Sequence, residues 1–352
     1  MRFVIHGAGA LGSLIGGRLA ASGAKVLLVG REEHISAISE RGLEIRSADG
    51  RQTVRNLATS TSLNSIVPTP EDILILSVKS ADTAHAVQEL REHFGEAIPL
   101  FCLQNGIRNE EMAARRFLHV YGIMAGLVVR TIAPGVVAQI IYNDLALGGY
   151  PLGCEEPGTR VAEALRQAGF NVTTHESIMA VKWTKLALNL NNATLAIIDC
   201  HLQLALITPP IAAFMAEVVD EALRVLEVAG LSVVERGNPY DLNAYVQQLK
   251  QVAAGRIDHN LSGEVRDLPD DRRAYPSTWT DLQEGRGDTE AGFLNGEIIL
   301  LGEKFGVPTP FNSTLLNLVE QMAVERSKPG RYNIDRLFTL VRQKLNSGGQ
   351  FE

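Results

Sequence analysis

The sequence predicts an α/β N-terminal domain built on a mostly parallel sheet, followed by an all-α C-terminal domain. Three observations carry this expectation. A short apolar run, Arg2–His6, passes at once into a glycine-rich turn and then a stretch with helical patterning. Apolar, β-favouring runs and helical patterns then alternate as far as Thr174, as successive strand–helix units do. From Ser177 onward the strand-like runs disappear and helical periodicity takes over. At 352 residues the chain exceeds the usual single core, so two domains are expected, 1–175 and 176–352.

Phe3, Val4 and Ile5 make the first strand apolar and β-favouring. Gly7-Ala8-Gly9-Ala10-Leu11-Gly12 follows with the G-x-G-x-x-G spacing. In that pattern Gly7 permits the tight turn, Gly9 lets a pyrophosphate approach the backbone, and Gly12 lets the next helix pack on the strand. Ala8, Ala10 and Leu11 complete a loop that leads into the N–H groups of a helix N-terminus, which favour an anion. Strand, glycine loop and helix in this order predict a Rossmann-type dinucleotide site; the competing reading is a glycine-rich turn in an ordinary α/β protein. The helix over Ala10–Ser22 stops at Gly23, a natural C′ residue, and Lys25–Gly30 reads as the second strand. At the tip of that strand an acid selects NAD, whereas an arginine accommodates the 2′-phosphate of NADP. Arg31 stands there, so NADP is expected. Glu32 and Glu33 come one and two residues later and suit the first turn of a helix.

Gly42–Ser47 and Gln52–Leu57 suggest a small antiparallel excursion. Asp72–Val78 is a near-continuous apolar run, as in a buried parallel strand, with Lys79 and Ser80 at its carboxyl end. Ligands of open α/β sheets lie outside these ends, which makes Lys79 a candidate contact to cofactor or substrate, against a purely structural role. A helix over Thr83–His93 returns the chain to a buried strand at Ile98–Leu103. Asn105 stands at its tip within Gln104-Asn105-Gly106, a position that suits either a ligand contact or an Asn-Gly turn. Further strands are expected at Tyr121–Val129, Gly135–Tyr142, Asp144–Gly148 and Asn171–Thr174, with a helix over Gly158–Ala168.

In the second half, one helix is expected to include Val181–Ala193. Lys182, Lys185, Asn189 and Asn192 recur at intervals of three, four and three residues and share a face, with Leu186 and Leu190 turned away. That stripe holds no acid, unlike most solvated helix faces, and points to a polar or anionic ligand. Phe214–Gly230 has apolar residues at helical spacing and ends at glycine, as a core or dimer-interface helix does. His259–Arg273 is a charged segment read as a loop or lid, and the tail from Ser347 is expected to be disordered.

A net charge of −7 argues against nucleic acid as a partner. The longest uncharged apolar stretch, Leu202–Ala216, is broken by Pro209-Pro210, and the N-terminus lacks a signal-peptide pattern, so no membrane association and a cytoplasmic location are expected. Cys102, Cys154 and Cys200 match no disulfide framework and no metal-ligand spacing, and no metal is expected.

Taken together, GAGALG, VGREEHISAISERGLEI, SVKS and QNGIRNEE in the first half resemble the ketopantoate reductase (2-dehydropantoate 2-reductase) family. In the second half VKWTKLALNLNNA (181–193) resembles its W-x-K-L-x-x-N helix, PSTWTDLQEGRGDTEAGFLNGEI (276–298) its S-x-x-x-D…GR-x-TE…NG segment, and FGVPTPFN (305–312) its closing G-x-x-x-P stretch. The ordered set spans nearly the whole chain. The resemblance implies NADPH-dependent reduction of ketopantoate to pantoate by a homodimer, with a small 2-oxo acid as the ligand. Hydride delivery to a ketone puts negative charge on its oxygen, and a lysine can meet that charge as cation and as proton donor.

By the family's pattern the donor is Lys185, which follows Trp183 by two residues. Glu290 corresponds to the glutamate that meets the substrate hydroxyl, supports the lysine and lies by the cofactor. Asn189 corresponds to a substrate-binding asparagine and Ser277 to the serine that bonds the substrate carboxylate. Asn105 corresponds to a residue contacting both nicotinamide and substrate. Glu290 and Ser277 have helix-cap readings as alternatives. A neighbouring Lys182 charge would lower the pKa of Lys185 by like-charge repulsion.

The chain departs from the family at Ala193, where an asparagine is usual and Asn192 stands one place early as the candidate substrate contact. It departs again at Ala291-Gly292-Phe293, where Ile-Asp-Tyr is favoured, and in a spacing from Asp281 to Glu290 one residue longer. These changes leave open another branched 2-oxo acid. A non-catalytic NADP-responsive binding protein is the alternative from a different class, and a structural dimerisation protein is a third.

Overall fold

The computed structural model describes residues 1–234, 241–256, 265 and 267–347. Of the charged segment 259–273, residues 259–264 and 266 lie outside the described residues, as does the tail 348–352. The chain divides into two compact units, Met1–Lys182 and Trp183–Glu352.

The first unit opens with β1 (Arg2–His6), α1 (Ala10–Ala21), β2 (Lys25–Val29), α2 (Glu32–Arg41), β3 (Leu43–Ser47), β4 (Gly50–Val54) and β5 (Ala58–Ser60). It continues with β6 (Asp72–Leu76), α3 (Thr83–Phe94), β7 (Leu100–Cys102), α4 (Asn109–Ala114), β8 (Val120–Ala133), β9 (Val136–Gly149), α5 (Gly158–Gln167) and β10 (Asn171–Thr174). One sheet joins them in the order β4-β3-β9-β8-β7-β6-β1-β2-β5, with β10 beside β9. Its pairings are parallel except β3 with β4 and β8 with β9.

Alternation along the central strands sends side chains into two separate cores. Phe3, Ile5, Ile73, Ile75 and Phe101 pack with Leu14, Ile15 and Leu19 of α1, Ile35 and Ile38 of α2, and Val161 and Leu165 of α5. Val4, Leu74, Leu76, Leu100 and Cys102 pack with Val87, Leu90 and Phe94 of α3 and Ala113 of α4. Both faces are therefore covered by helices, which is why β6 reads as an unbroken apolar run and is buried throughout. The chain leaves β1 toward β2 on one side and resumes at β6 on the other. The carboxyl ends of β1 and β6 thus form the switch point where such sheets bind ligands.

Local differences from the sequence expectation have clear causes. The excursion is antiparallel as expected, but β3 also pairs in parallel with β9 through Glu44–Arg46 and so joins the main sheet. Of the Gln52–Leu57 run only Gln52–Val54 is strand, as the end of β4, and a separate β5 follows it and pairs with β2. The two strands expected at Gly135–Tyr142 and Asp144–Gly148 are one strand, β9, whose pairing with β8 shifts register between Gly126 and Val128 and again further along. A register shift lets a long strand bend without ending, which local patterning does not reveal.

The unit boundary falls inside α6 (Ile178–Asn189). The second unit continues through α7 (Asn191–Ile197), α8 (Leu202–Ala205), α9 (Pro209–Val228), α10 (Leu242–Ala253), α11 (Ser277–Gln283), α12 (Asn295–Phe305), α13 (Pro310–Val324) and α14 (Ile334–Ser347). α9 begins at Pro209-Pro210, where the missing N–H groups cost nothing to a first turn, and buries Phe214, Met215, Val218, Val219, Ala222 and Val225. Phe214 meets Phe311 and Phe338 edge-on, with centroids 5.3 and 5.1 Å away. Among the described residues no helix is long and apolar enough to cross a membrane.

Candidate active site

The glycine turn is built as its spacing requires. The N–H groups of Gly7 and Ala8 both donate to the Val29 carbonyl at 2.9 Å, which folds the turn over the end of β2. Gly7 has φ +109°, and a Cβ there would stand 2.5 Å from the Ser77 carbonyl carbon at the end of β6. A Cβ at Gly12 would stand 2.3 Å from the Gly7 oxygen. Space opens instead at Gly9, the N-cap of α1, where a Cβ would meet nothing within 4 Å and no side chain caps the helix. The first helical bond runs from Ser13 N–H to the Gly9 carbonyl at 2.9 Å. The N–H groups of Ala10, Leu11 and Gly12 thus precede the helical ladder and are suited to an anion.

Arg31 is the exposed N-cap of α2, one residue past Gly30, and Glu32 and Glu33 occupy the first turn. Three residues on, His34 joins three elements. Gly135 N–H donates to its Nδ1 at 3.1 Å, so the ring proton sits on Nε2 and is donated to Ser13 Oγ at 3.0 Å. Burial, with the Arg31 charge adding, holds the imidazole below its ordinary pKa, and Glu33 opposes this.

Lys79 is half-buried and N-caps a short 3₁₀ turn, Ser80–Asp82, just beyond β6. Asn105 is half-buried beyond β7, and its carbonyl accepts bonds from Ser80 Oγ at 2.9 Å and Asn109 Nδ2 at 2.8 Å. Gln104 Nε2 donates to Thr83 Oγ1 at 2.7 Å, and that hydroxyl donates to Asn109 Oδ1 at 2.8 Å. The Asn-Gly turn is therefore real, with Gly106 at φ +82°, and is also pinned to the loop after Lys79. The residues Gly7–Gly12, Arg31, Lys79 and Asn105 follow the carboxyl ends of four neighbouring strands, β1, β2, β6 and β7.

The basic stripe is revised by Lys182. Its side chain is buried and ion-pairs with the equally buried Glu110 of α4, while Nζ also donates to the Gln104 carbonyl at 3.2 Å. Lys182 is thus not part of an open cationic face, and its charge is matched where it lies. That pairing offsets the Lys182 charge from which a repulsion on Lys185 is expected. Nearby, burial pushes the Cys102 thiol well above its ordinary pKa, with Glu110 adding and Lys182 opposing.

In the second unit Lys185 and Asn189 are both half-buried on α6 at an i,i+4 spacing. The single helix expected over 181–193 is interrupted at Leu190, whose angles stay helical at φ −57° and ψ −33°. Asn192, half-buried, therefore belongs to the first turn of α7. Its neighbour Asn191 is buried and structural, donating to the Met215 carbonyl at 3.1 Å and accepting from Thr194 Oγ1 at 3.1 Å. Glu290 is half-buried and opens a 3₁₀ turn over Glu290–Phe293 whose cap is Thr289 Oγ1, bonded by Ala291 N–H at 3.3 Å. The capping role considered for Glu290 falls to Thr289.

Ser277 is exposed and is the first residue of α11, with Pro276 in the N-cap position, so its own N-cap alternative is not realised. α11 packs on α7 and also touches the Glu290 turn, which gathers Asn192, Ser277 and Glu290 onto neighbouring elements. Ala193 and Ala291, the two departures, are each 1% exposed.

Sequence reasoning passed over Glu110, Gln104, Asn295, Glu221 and Asn312. All five are buried polar groups, and the signal for them was weak: Asn295 is in the quoted NG segment and Glu110 in QNGIRNEE, but nothing in either string says which partner each one meets.

Comparison with known proteins agrees with this architecture. Residues 3–152 match the family model described as ketopantoate reductase PanE/ApbA, and residues 177–323 match ketopantoate reductase PanE/ApbA C terminal. The chain is 30% identical over 326 residues to the 2-dehydropantoate 2-reductase of Halobacterium salinarum, across 91% of this chain and 98% of that protein. It is similar to the crystal structure of 2-dehydropantoate 2-reductase from Methylococcus capsulatus with a TM-score of 0.74 and 25% identity, over 93% and 98% of the two chains. It shares its fold with D-mandelate dehydrogenase, in a ternary structure with NADH and anilino(oxo)acetate, at a TM-score of 0.76 and 24% identity over 93% and 99%. Both halves of the sequence, in order and over nearly their full length, place this chain in the ketopantoate reductase family.

Proposed function

We propose that this protein reduces the 2-oxo group of 2-dehydropantoate to the hydroxyl of pantoate, using NADPH. The observation that carries the reading is the match of both halves of the chain to one reductase family, with the proposed donor and a substrate asparagine one turn apart on α6. A dinucleotide suits the first unit: the open space at Gly9, the uncapped start of α1 and the exposed Arg31 would take its pyrophosphate and 2′-phosphate. The bound reduced nicotinamide would supply the hydride.

The remaining work falls to the chain's own side chains. Lys185 donates a hydrogen bond to the C2 carbonyl oxygen and passes its proton there as negative charge develops, leaving a neutral amine that solvent reprotonates. Glu290 accepts a hydrogen bond from the forming hydroxyl and favours the ammonium form of the lysine. Ser277 donates to the substrate carboxylate, and the amides of Asn189 and Asn192 orient the chain of the substrate. Asn105 and Lys79 act on the cofactor side, Asn105 meeting substrate and nicotinamide alike. We further propose that the protein works as a homodimer, which predicts sedimentation at twice the chain mass of 38.2 kDa.

The test is steady-state oxidation of NADPH with 2-dehydropantoate, run beside NADH and beside other branched 2-oxo acids, on the natural protein and Lys185→Ala. Efficient NADPH-linked turnover is expected, with kcat falling by about 10²–10⁴ in the variant. Turnover of a different 2-oxo acid with the same lysine dependence would instead favour the second reading, an altered substrate pocket, for which the departures at Ala193 and at Ala291-Gly292-Phe293 speak. Cofactor binding with no turnover of any such acid would leave a non-catalytic NADP-responsive protein.

A further inference from the structure

A chain of buried amides and one carboxylate runs through the second unit and ends on the backbone of the Lys185 helix. Glu221 of α9 is wholly buried and accepts the Phe311 and Asn312 N–H groups at 2.9 Å each, which satisfies the start of α13. Asn312 is also wholly buried; its Nδ2 donates to Glu221 Oε1 at 2.8 Å and to the Val218 carbonyl at 3.2 Å. Its Oδ1 accepts from Asn295 Nδ2 at 3.0 Å. The same Nδ2 donates to the Leu190 carbonyl at 3.1 Å. That carbonyl belongs to the residue between α6 and α7, one residue after Asn189 and five after Lys185.

Asn295 is equally close in sequence to the other proposed catalytic group. It is the first residue of α12, directly after the turn Glu290–Phe293 and Leu294, whose N–H donates to the Ala291 carbonyl at 3.1 Å. One buried amide therefore ties the end of the Lys185 helix to the segment that begins with Glu290. With both Nδ2 hydrogens committed and the residue 1% exposed, the amide has one available orientation.

We infer that Asn295 is a positioning residue for the reduction: its bond to the Leu190 carbonyl sets the place of Lys185 and Asn189 relative to Glu290, and Asn312 and Glu221 fix the orientation of its amide. This inference rests on the proposed roles of Lys185 and Glu290. Misplacement of a reacting group by an ångström is enough to cost about a hundredfold in rate, so a lost tether acts on kcat while leaving the glycine turn of the first unit alone.

The experiment compares the natural protein with Asn295→Ala, Lys185→Ala and the double variant. It measures kcat with NADPH and 2-dehydropantoate, NADPH affinity by fluorescence, melting temperature, and hydrogen exchange of peptides covering 186–194 and 288–296. Asn295→Ala is expected to lower kcat by about 10- to 100-fold, with NADPH affinity within about twofold, faster exchange in both peptides, and no further loss when combined with Lys185→Ala. Unchanged kcat in Asn295→Ala, or a loss that multiplies fully onto that of Lys185→Ala, overturns the inference. Full activity in Lys185→Ala alone would instead overturn the underlying assignment of the donor. Asn295→Ser, a milder change that keeps a hydroxyl in the same buried space, carries the same comparison if the alanine variant does not fold.

Discussion

In the proposed reading Arg31, at the tip of β2, carries the choice of cofactor, and His34, three residues on in α2, carries part of the pH dependence of stability. Arg31 N-caps α2 and lies exposed where a 2′-phosphate would stand. A charge-assisted contact of this sort contributes about 1.5–3 kcal/mol. Arg31→Ala is therefore expected to raise KM for NADPH by roughly 10- to 150-fold and to leave KM for NADH nearly unchanged, read from initial rates with each cofactor. His34 ties this helix to Ser13 and to the Gly135 turn as a neutral ring. Its folded pKa lies below the ordinary value of 6.5, first through burial and then through Arg31. The unfolded chain thus binds more protons in that window, so the contribution of His34 is fully present above pH 6.5 and is lost as the pH falls through the lower folded value. Melting curves from pH 8 to pH 5 are expected to show His34→Ala losing less stability on acidification than the natural protein.

At the scale of elements, the β1–turn–α1 unit shapes the glycine turn of the first unit, and the interruption between α6 and α7 arranges the polar side chains of the second. The turn leaves no room at Gly12, where a Cβ would be 2.3 Å from the Gly7 oxygen, a backbone atom that cannot swing aside. Gly12→Ala should push α1 off the turn, cost about 1–3 kcal/mol of stability and abolish measurable NADPH binding by fluorescence titration. Gly9→Ala, with empty space beside it, should fold normally and weaken only the cofactor. That contrast separates a glycine required by the fold from one required by the ligand. In the second unit the break at Leu190 moves Asn192 onto α7, beside α11 and Ser277, and leaves Lys185 and Asn189 as the pair that shares one helix face.

At the scale of the whole chain, the boundary between the two compact units runs through α6, between Lys182 and Trp183. Lys182 and Glu110 root the first turn of that helix in the first unit, with Gln104 as a second acceptor. Removing one member of a buried ion pair leaves the other charge without a partner and typically costs about 3–5 kcal/mol, whereas replacing both by apolar groups is often nearly neutral. Lys182→Met is expected to lower the melting temperature clearly, and Lys182→Met with Glu110→Leu to recover most of it. Because the Lys182 charge is matched by Glu110, the double variant should leave the position of the pH–rate profile unmoved; a displaced profile would show that the Lys182 charge does act on Lys185.

Much of this is legible in the sequence itself. The glycine spacing, the Arg31 position, the buried run at Asp72–Leu76 and the strand tips at Lys79 and Asn105 follow from local rules, because a turn, a cap or a strand is decided by residues close in sequence. The fold class followed from the same rules through the change of period at Ser177. What the tertiary structure alone decided involves partners far apart in the chain. Lys182 meets Glu110 across 72 positions, and Asn295 meets Leu190 across 105. β3 finds β9, and β8 and β9 run on through register shifts that a shorter pattern reads as strand ends. A basic, amide-rich stripe is the same string whether its lysine faces solvent or a buried carboxylate; burial and a distant partner decide which, and neither is a property of the local sequence.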